Sequence, residues 1–151
     1  MTPWLHIIGI GEDGFDALRP VARTTIDAAE ICYGGARHLA MLPESFTGER
    51  RRWRTPLRDT FEDIKTLAGR QVVVLATGDP MNFGVGTTLI RELSDSIGPD
   101  ALRVTPAPGA FSLAAARMVV AAANRLPVHS RAAFIRAGAP PLPRRQVASP
   151  V

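Results

Sequence analysis

Short apolar runs alternate along this chain with longer segments whose apolar residues recur every three to four positions. Trp4-Leu-His-Ile-Ile-Gly-Ile10 is a compact apolar run and predicts a buried strand. Pro20 then opens a helical stretch that places Val21, Ala22, Thr25, Ile26 and Ala29 on one face. Ile31-Cys-Tyr33 predicts a second strand closed by Gly34-Gly35, and residues 36–42 a short helix that Pro43 ends. Residues 44–57 are polar and rich in arginine, and they predict a loop. Asp59, three residues before Glu62, suggests a capping-box start for a helix with Phe61, Ile64, Leu67 and Ala68 on its apolar face. Gln71-Val-Val-Val-Leu-Ala76 is a β-branched run without charge and predicts a central strand. Val85, Leu89, Ile90, Leu93 and Ile97 mark an amphipathic helix that stops at Gly98-Pro99. Residues 102–105 predict another strand, and residues 111–118 a helix.

Strands that alternate with helices of 8–12 residues predict an α/β fold, an open and mostly parallel sheet with helices on both faces. In such sheets the ligand crevice lies beyond the carboxyl ends of the strands. The three glycine-rich loops, residues 9–14, 77–86 and 106–109, each follow a strand and are expected to converge on that edge.

Composition changes this picture little. The chain of 151 residues is 46% hydrophobic and 21% charged, ordinary values for a soluble globular domain. No apolar run approaches the ~18 residues of a membrane span, and the first residues lack the basic and small-residue marks of a signal peptide. Cys32 stands alone, which excludes an internal disulfide and fits a cytoplasmic setting. His6, His38 and His129 are scattered and suggest no metal site.

The net charge of +4 is unevenly spread. Residues 101–151 hold seven of the 18 basic side chains and none of the 14 acids, so the first hundred residues are net acidic. The basic excess belongs to the last third, without a helix-turn-helix, zinc or aromatic-basic signature, and nucleic acid is not an expected partner.

Two loops offer candidate chemistry. Gly9-x-Gly11-x-x-Gly14 matches the dinucleotide fingerprint, a tight turn that brings backbone amides near phosphate. The ribose-binding acid expected at the end of the second strand is missing, and Glu12 and Asp13 would repel a pyrophosphate. A nicotinamide or flavin site is therefore disfavoured. Thr77-Gly-Asp-Pro-Met-Asn-Phe-Gly-Val-Gly86 packs three glycines, a proline and a carboxylate between a strand and a helix. Glycine lets a ligand approach the backbone, and Pro80 stiffens the turn. Asp79 either faces a ligand or caps the turn that follows.

Taken together, Ile8-Gly-Ile-Gly11, Gly78-Asp-Pro80 and Pro106-Ala-Pro-Gly-Ala-Phe-Ser-Leu-Ala-Ala-Ala-Arg117 resemble, in order and spacing, the three loop motifs of the tetrapyrrole methylase family. The resemblance covers residues 4–118. Ala76-Thr-Gly-Asp-Pro-Met81 and Phe83-Gly-Val-Gly86 look most like the branch that methylates precorrin-6Y in cobalamin synthesis. The resemblance implies S-adenosyl-L-methionine as cofactor, held by Gly78, Asp79, Pro80 and Phe83 and by Phe111 and Ser112. It implies a tetrapyrrole substrate faced by Gly9, Gly11 and Glu12, with Asp13 as the catalytic, proton-accepting group. The methyl would move by in-line displacement, without metal or covalent nucleophile. Arg50, Arg51, Arg52 and Arg54 are either partners for substrate carboxylates or a solvated loop.

Family members continue into a second domain. Here an arginine- and proline-rich stretch follows Met118, so residues 1–118 are expected to form the family's N-terminal domain. Residues 119–151 are expected to be a divergent, poorly ordered tail, arising from a shift of reading frame or from truncation. A domain without its partner exposes apolar surface, and a homodimer is one expected result. The competing reading is a non-catalytic α/β fragment that binds ligand or partner weakly.

Overall fold

The computed structural model describes residues 2–118. The chain divides into two units: the first ends at Gly109 and the second begins at Ala110. The first contains five strands and four helices. The strands are β1 (Leu5–Ile10), β2 (Ile31–Gly34), β3 (Glu49–Arg52), β4 (Val72–Thr77) and β5 (Leu102–Thr105). The helices are α1 (Pro20–Asp27), α2 (Ala36–Ala40), α3 (Leu57–Lys65) and α4 (Val85–Leu93). Of the second unit, helix α5 (Ala110–Arg117) and Met118 are described.

All strand pairings are parallel, and the order across the sheet is β3-β2-β4-β1-β5. Side chains alternate along a strand, so each central strand feeds two cores. Leu5, Ile7, Ile31, Tyr33, Val72 and Val74 point to one face and are covered by Phe61 and Ile64 of α3 and Leu89 and Leu93 of α4. Ile8, Ile10, Cys32, Val73 and Leu75 point to the other face. There Ala22 and Ile26 of α1, Leu39 of α2, and Leu42 and Phe46 beyond it cover them. Each such side chain, fully withdrawn from water, contributes about 1.5–3 kcal/mol. This is the open parallel sheet with helices on both faces that the alternating pattern predicts.

The strand order also decides the dinucleotide question. In a dinucleotide-binding sheet β1 lies beside β2. Here β4 separates them, and the Gly9-x-Gly11-x-x-Gly14 loop runs into a single 3-10 turn, Phe15–Ala17, before α1 begins at Pro20. The loop does not open a helix as the fingerprint requires.

Two expectations change. Residues 49–52, read as loop, form the edge strand β3. Glu-Arg-Arg-Arg has no apolar alternation, and its strand geometry comes from pairing with β2. Asp59 does not cap α3: the helix begins at Leu57 after Pro56, no side chain caps it, and Asp59 lies in its first turn. The polar group buried nearby is Thr60, whose hydroxyl accepts a hydrogen bond from the Arg54 amide at 2.8 Å.

Candidate functional site

After β1 and after β2 the chain turns toward the α1/α2 face, but after β4 it turns toward the α3/α4 face. β4 lies between β1 and β2, so the loops diverge around its carboxyl end. That divergence opens a crevice at the switch point of the sheet.

The three glycine-rich loops meet there through their backbones. The Gly78 amide donates to the Ile10 carbonyl at 3.0 Å, and the Ala107 amide donates to the Gly78 carbonyl at 3.1 Å. Gly9 lies buried beneath this crossing. A Cβ on it would stand 1.9 Å from the Gly78 carbonyl oxygen and 2.6 Å from the Ala107 nitrogen. Its absent side chain is thus the space the crossing occupies. Gly78 adopts φ +56°, with Pro108 and Gly109 directly against it.

The Gly78-Asp79-Pro80 loop is folded around Pro80. A Cβ on Gly84 or on Gly86 would lie 2.6 Å from the Pro80 carbonyl oxygen, and the Gly86 amide donates to that oxygen at 3.0 Å. Pro80 is buried. Asp79, half-buried, accepts the Met81 amide on Oδ1 at 2.9 Å, so its carboxylate caps the turn that follows. The same turn lifts Met81 and Phe83 into solvent. Phe83, 63% exposed, sits at φ +56°, a left-handed conformation that a bulky residue rarely adopts.

On the β1 side, Gly11 stands under the Asp13 carboxylate: a Cβ there would meet Oδ1 at 2.5 Å. Glu12 and Asp13 are both exposed. Glu12 pairs with Arg37 of α2. Phe111 and Ser112, the other residues expected at the cofactor, stand in the first turn of α5, in the second unit.

A second group stands at this edge. Thr77, the last residue of β4, lies 3.1 Å through Oγ1 from His38 Nε2. His38 Nδ1 is buried and has no hydrogen-bond partner. Burial, and then the Arg37 charge beside it, hold the His38 pKa below the usual imidazole value. The signal available in the sequence was Gly34-Gly35-Ala36-Arg37-His38 at the end of a strand.

Two of the three arginines of β3, Arg50 and Arg51, are engaged within the fold. Arg51 forks onto both oxygens of Glu49, at 2.7 and 2.8 Å, and reaches Tyr33 Oη at 3.0 Å and Asp63 at 3.1 Å. Tyr33 donates to Asp63. Burial, and then this bond, push the phenol up to about 12, while the Asp63 carboxyl is held below its ordinary value chiefly by the same bond. Arg50 donates to the Pro43 carbonyl and lies over Phe46, and Arg54 stands 3.5 Å from Asp63. Cys32 is buried, and burial raises its thiol to about 12, so it is a packing residue. Among the described residues no group of three acidic, histidine or cysteine side chains could hold a metal ion. No described helix is long and apolar enough to cross a membrane.

A five-stranded parallel sheet whose glycine-rich loops cross at the carboxyl end of β4 defines an α/β protein, and that edge is where such sheets carry their ligand crevice. The chain belongs to the tetrapyrrole (corrin/porphyrin) methylase family, whose model matches residues 4–148. It is 42% identical, over 87% of its length and 31% of the relative's, to a precorrin-6Y C(5,15)-methyltransferase (decarboxylating) of Sinorhizobium. It is 34% identical, over 68% of its length and 48% of the relative's, to a cobalt-precorrin-7 C(5)-methyltransferase of Salmonella typhimurium. Among solved structures it resembles a precorrin-6Y methylase of cobalamin biosynthesis from Archaeoglobus fulgidus. That likeness has a TM-score of 0.57 and 27% identity over 78% of this chain and 59% of the other. The chain thus spans about a third of the Sinorhizobium relative.

Proposed function

We propose that this chain contributes to S-adenosylmethionine-dependent C-methylation of a corrinoid precursor, with precorrin-6Y as substrate and C5 as the carbon methylated. The observation that carries this reading is the crossing of the three loops. The motifs by which the chain resembles the family lie up to a hundred residues apart, yet 9–14, 77–86 and 106–109 meet at the carboxyl end of β4. Family membership and two relatives named for C5 methylation support it.

The donor set suits a cationic cofactor. The three loops carry Glu12, Asp13 and Asp79 and no basic residue, which favours a sulfonium and disfavours a pyrophosphate. Gly78, Asp79, Pro80 and Phe83 would hold the cofactor from the first unit. When bound, S-adenosylmethionine supplies a sulfonium-activated methyl group for in-line displacement by a nucleophilic carbon. The chain's own part is positioning: Asp79 fixes the turn through the Met81 amide, and that turn presents Phe83 as an aromatic face. Gly9, Gly11 and Glu12 face the macrocycle in this reading, and Asp13, exposed beside Gly11, takes the proton that methylation releases. The setting is cytoplasmic.

Calorimetry with S-adenosylhomocysteine tests the reading. Micromolar binding is expected. Asp79→Ala abolishes it because the Met81 amide loses its acceptor, whereas Asp79→Asn, which keeps an acceptor oxygen, retains most of it. Absence of binding at millimolar ligand would leave the non-catalytic fragment as the better account.

A further inference from the structure

The three crevice loops present three carboxylates and no base, yet the proposed substrate belongs to a class of macrocycles edged with carboxylates. Acid meeting acid at such an edge is repelled unless a cation intervenes. Among the described residues, one ion pair joins these loops to a basic side chain: Arg37 to Glu12. Its place in the fold gives it meaning. Glu12 follows β1 and Arg37 follows β2, and β4 lies between those strands. The pair therefore spans the carboxyl end of β4, where the Gly78 loop begins. The next residue on α2, His38, anchors the helix to Thr77 at that strand end.

Resting on the proposed function, we infer that Arg37 is the carboxylate-recognition residue for the macrocycle and that Glu12 holds it in readiness. Both side chains are largely exposed, 55% for Arg37 and 75% for Glu12, and an ion pair so exposed is worth little. A ligand carboxylate therefore displaces Glu12 at small cost and accepts hydrogen bonds on both oxygens from the guanidinium fork. Of the neighbouring arginines on and just beyond β3, Arg51 is engaged by Glu49, Asp63 and Tyr33, and Arg54 stands against Asp63. Burial, and then the Arg37 charge, lower the pKa of the His38 ring beside it.

The probe is uroporphyrin, an octacarboxylate macrocycle, titrated by absorbance against the full chain and its variants. Arg37→Gln is expected to weaken binding about tenfold, the loss of one charge-assisted pair. Glu12→Gln is expected to tighten it about threefold, because the competing acceptor and one repelling charge are gone. Misfolding cannot produce a tighter complex, so the second variant guards the first. In the double variant the gain from Glu12→Gln disappears, since it acts through Arg37. Affinity of Arg37→Gln within about twofold of the parent, no tightening in Glu12→Gln, or no uroporphyrin binding by the parent overturns the inference. If S-adenosylhomocysteine binds the parent while these variants fail to respond, the inference falls and the proposed function stands. If neither ligand binds, both fall.

Discussion

The loops after β1 and after β4 are both rich in glycine, yet their glycines answer different physical demands. In the β4 loop the need is chiefly space, with a positive φ added at Gly78. Gly84 and Gly86 are pressed against the Pro80 carbonyl and Gly78 against Pro108, with Gly9, the last glycine of β1, wedged under the same crossing. In the loop after β1 the need is conformation. Nothing lies within 4 Å of a Cβ on Gly14, but its φ of +75° and ψ of −159° fall where essentially only glycine is found. One loop is knitted by backbone hydrogen bonds and packing. The other is closed by one backbone bond, Gly14 amide to Gly11 carbonyl at 3.2 Å, and carries the exposed Glu12–Arg37 pair. The β4 loop is the more tightly packed wall. The same letter in a glycine motif carries no information about which of these it is.

That contrast can be broken at three points. The largest effect is expected at Gly9→Ala, whose methyl must push apart two backbone segments. It should cost about 3 kcal/mol in urea unfolding and remove S-adenosylhomocysteine binding with it. Gly14→Ala meets no neighbour and should cost about 2 kcal/mol from backbone strain alone, with ligand affinity changed far less. Equal losses of stability and affinity at both positions would erase the distinction between space and conformation.

The smallest effect concerns the pH dependence of the wall's anchor. His38 and His6 both have folded pKa values below the free value of 6.5, each chiefly through burial. The unfolded chain then binds more protons near and below pH 6.5, so stability is full above that value and declines as pH falls through it. Once the pH is below the folded pKa values, the decline levels off. Replacing His38 by Gln should flatten part of this slope, and the remainder should belong to His6. Unfolding midpoints followed from pH 8 to pH 5 would show the slope, and an unchanged slope in His38→Gln would mean the Thr77 contact carries no proton linkage.

Legibility of the fold followed hydrophobic pattern closely. β1, β2 and β4 are apolar runs, β5 alternates apolar and polar positions, and α1, α3 and α4 show helical periodicity, so their type could be read before their arrangement. β3 could not. Glu49–Arg52 has charge at every position, and only the open edge of β2, together with the Tyr33, Asp63 and Glu49 partners of Arg51, makes it a strand. The site was legible as motifs but not as an assembly. Asp79 drew notice as either a ligand-facing group or a cap, and the fold shows it capping the Met81 amide. The pairings of Thr77 with His38 and of Arg37 with Glu12 could not be read, because separations of 39 and 25 residues mean nothing until the strands are ordered.

By itself the sequence determined the alternation of strands and helices, the glycine-rich loops behind three of the strands, and the family those loops mark. These are local properties, set by side-chain hydrophobicity and backbone freedom within a dozen residues. The tertiary structure alone decided that β4 lies between β1 and β2, which excludes a dinucleotide sheet and places the crevice. It also decided which glycine yields space and which yields φ, and that Glu12 meets Arg37 across the mouth. Strand order is a global outcome of burying both faces of one sheet, and no stretch of the chain encodes it alone.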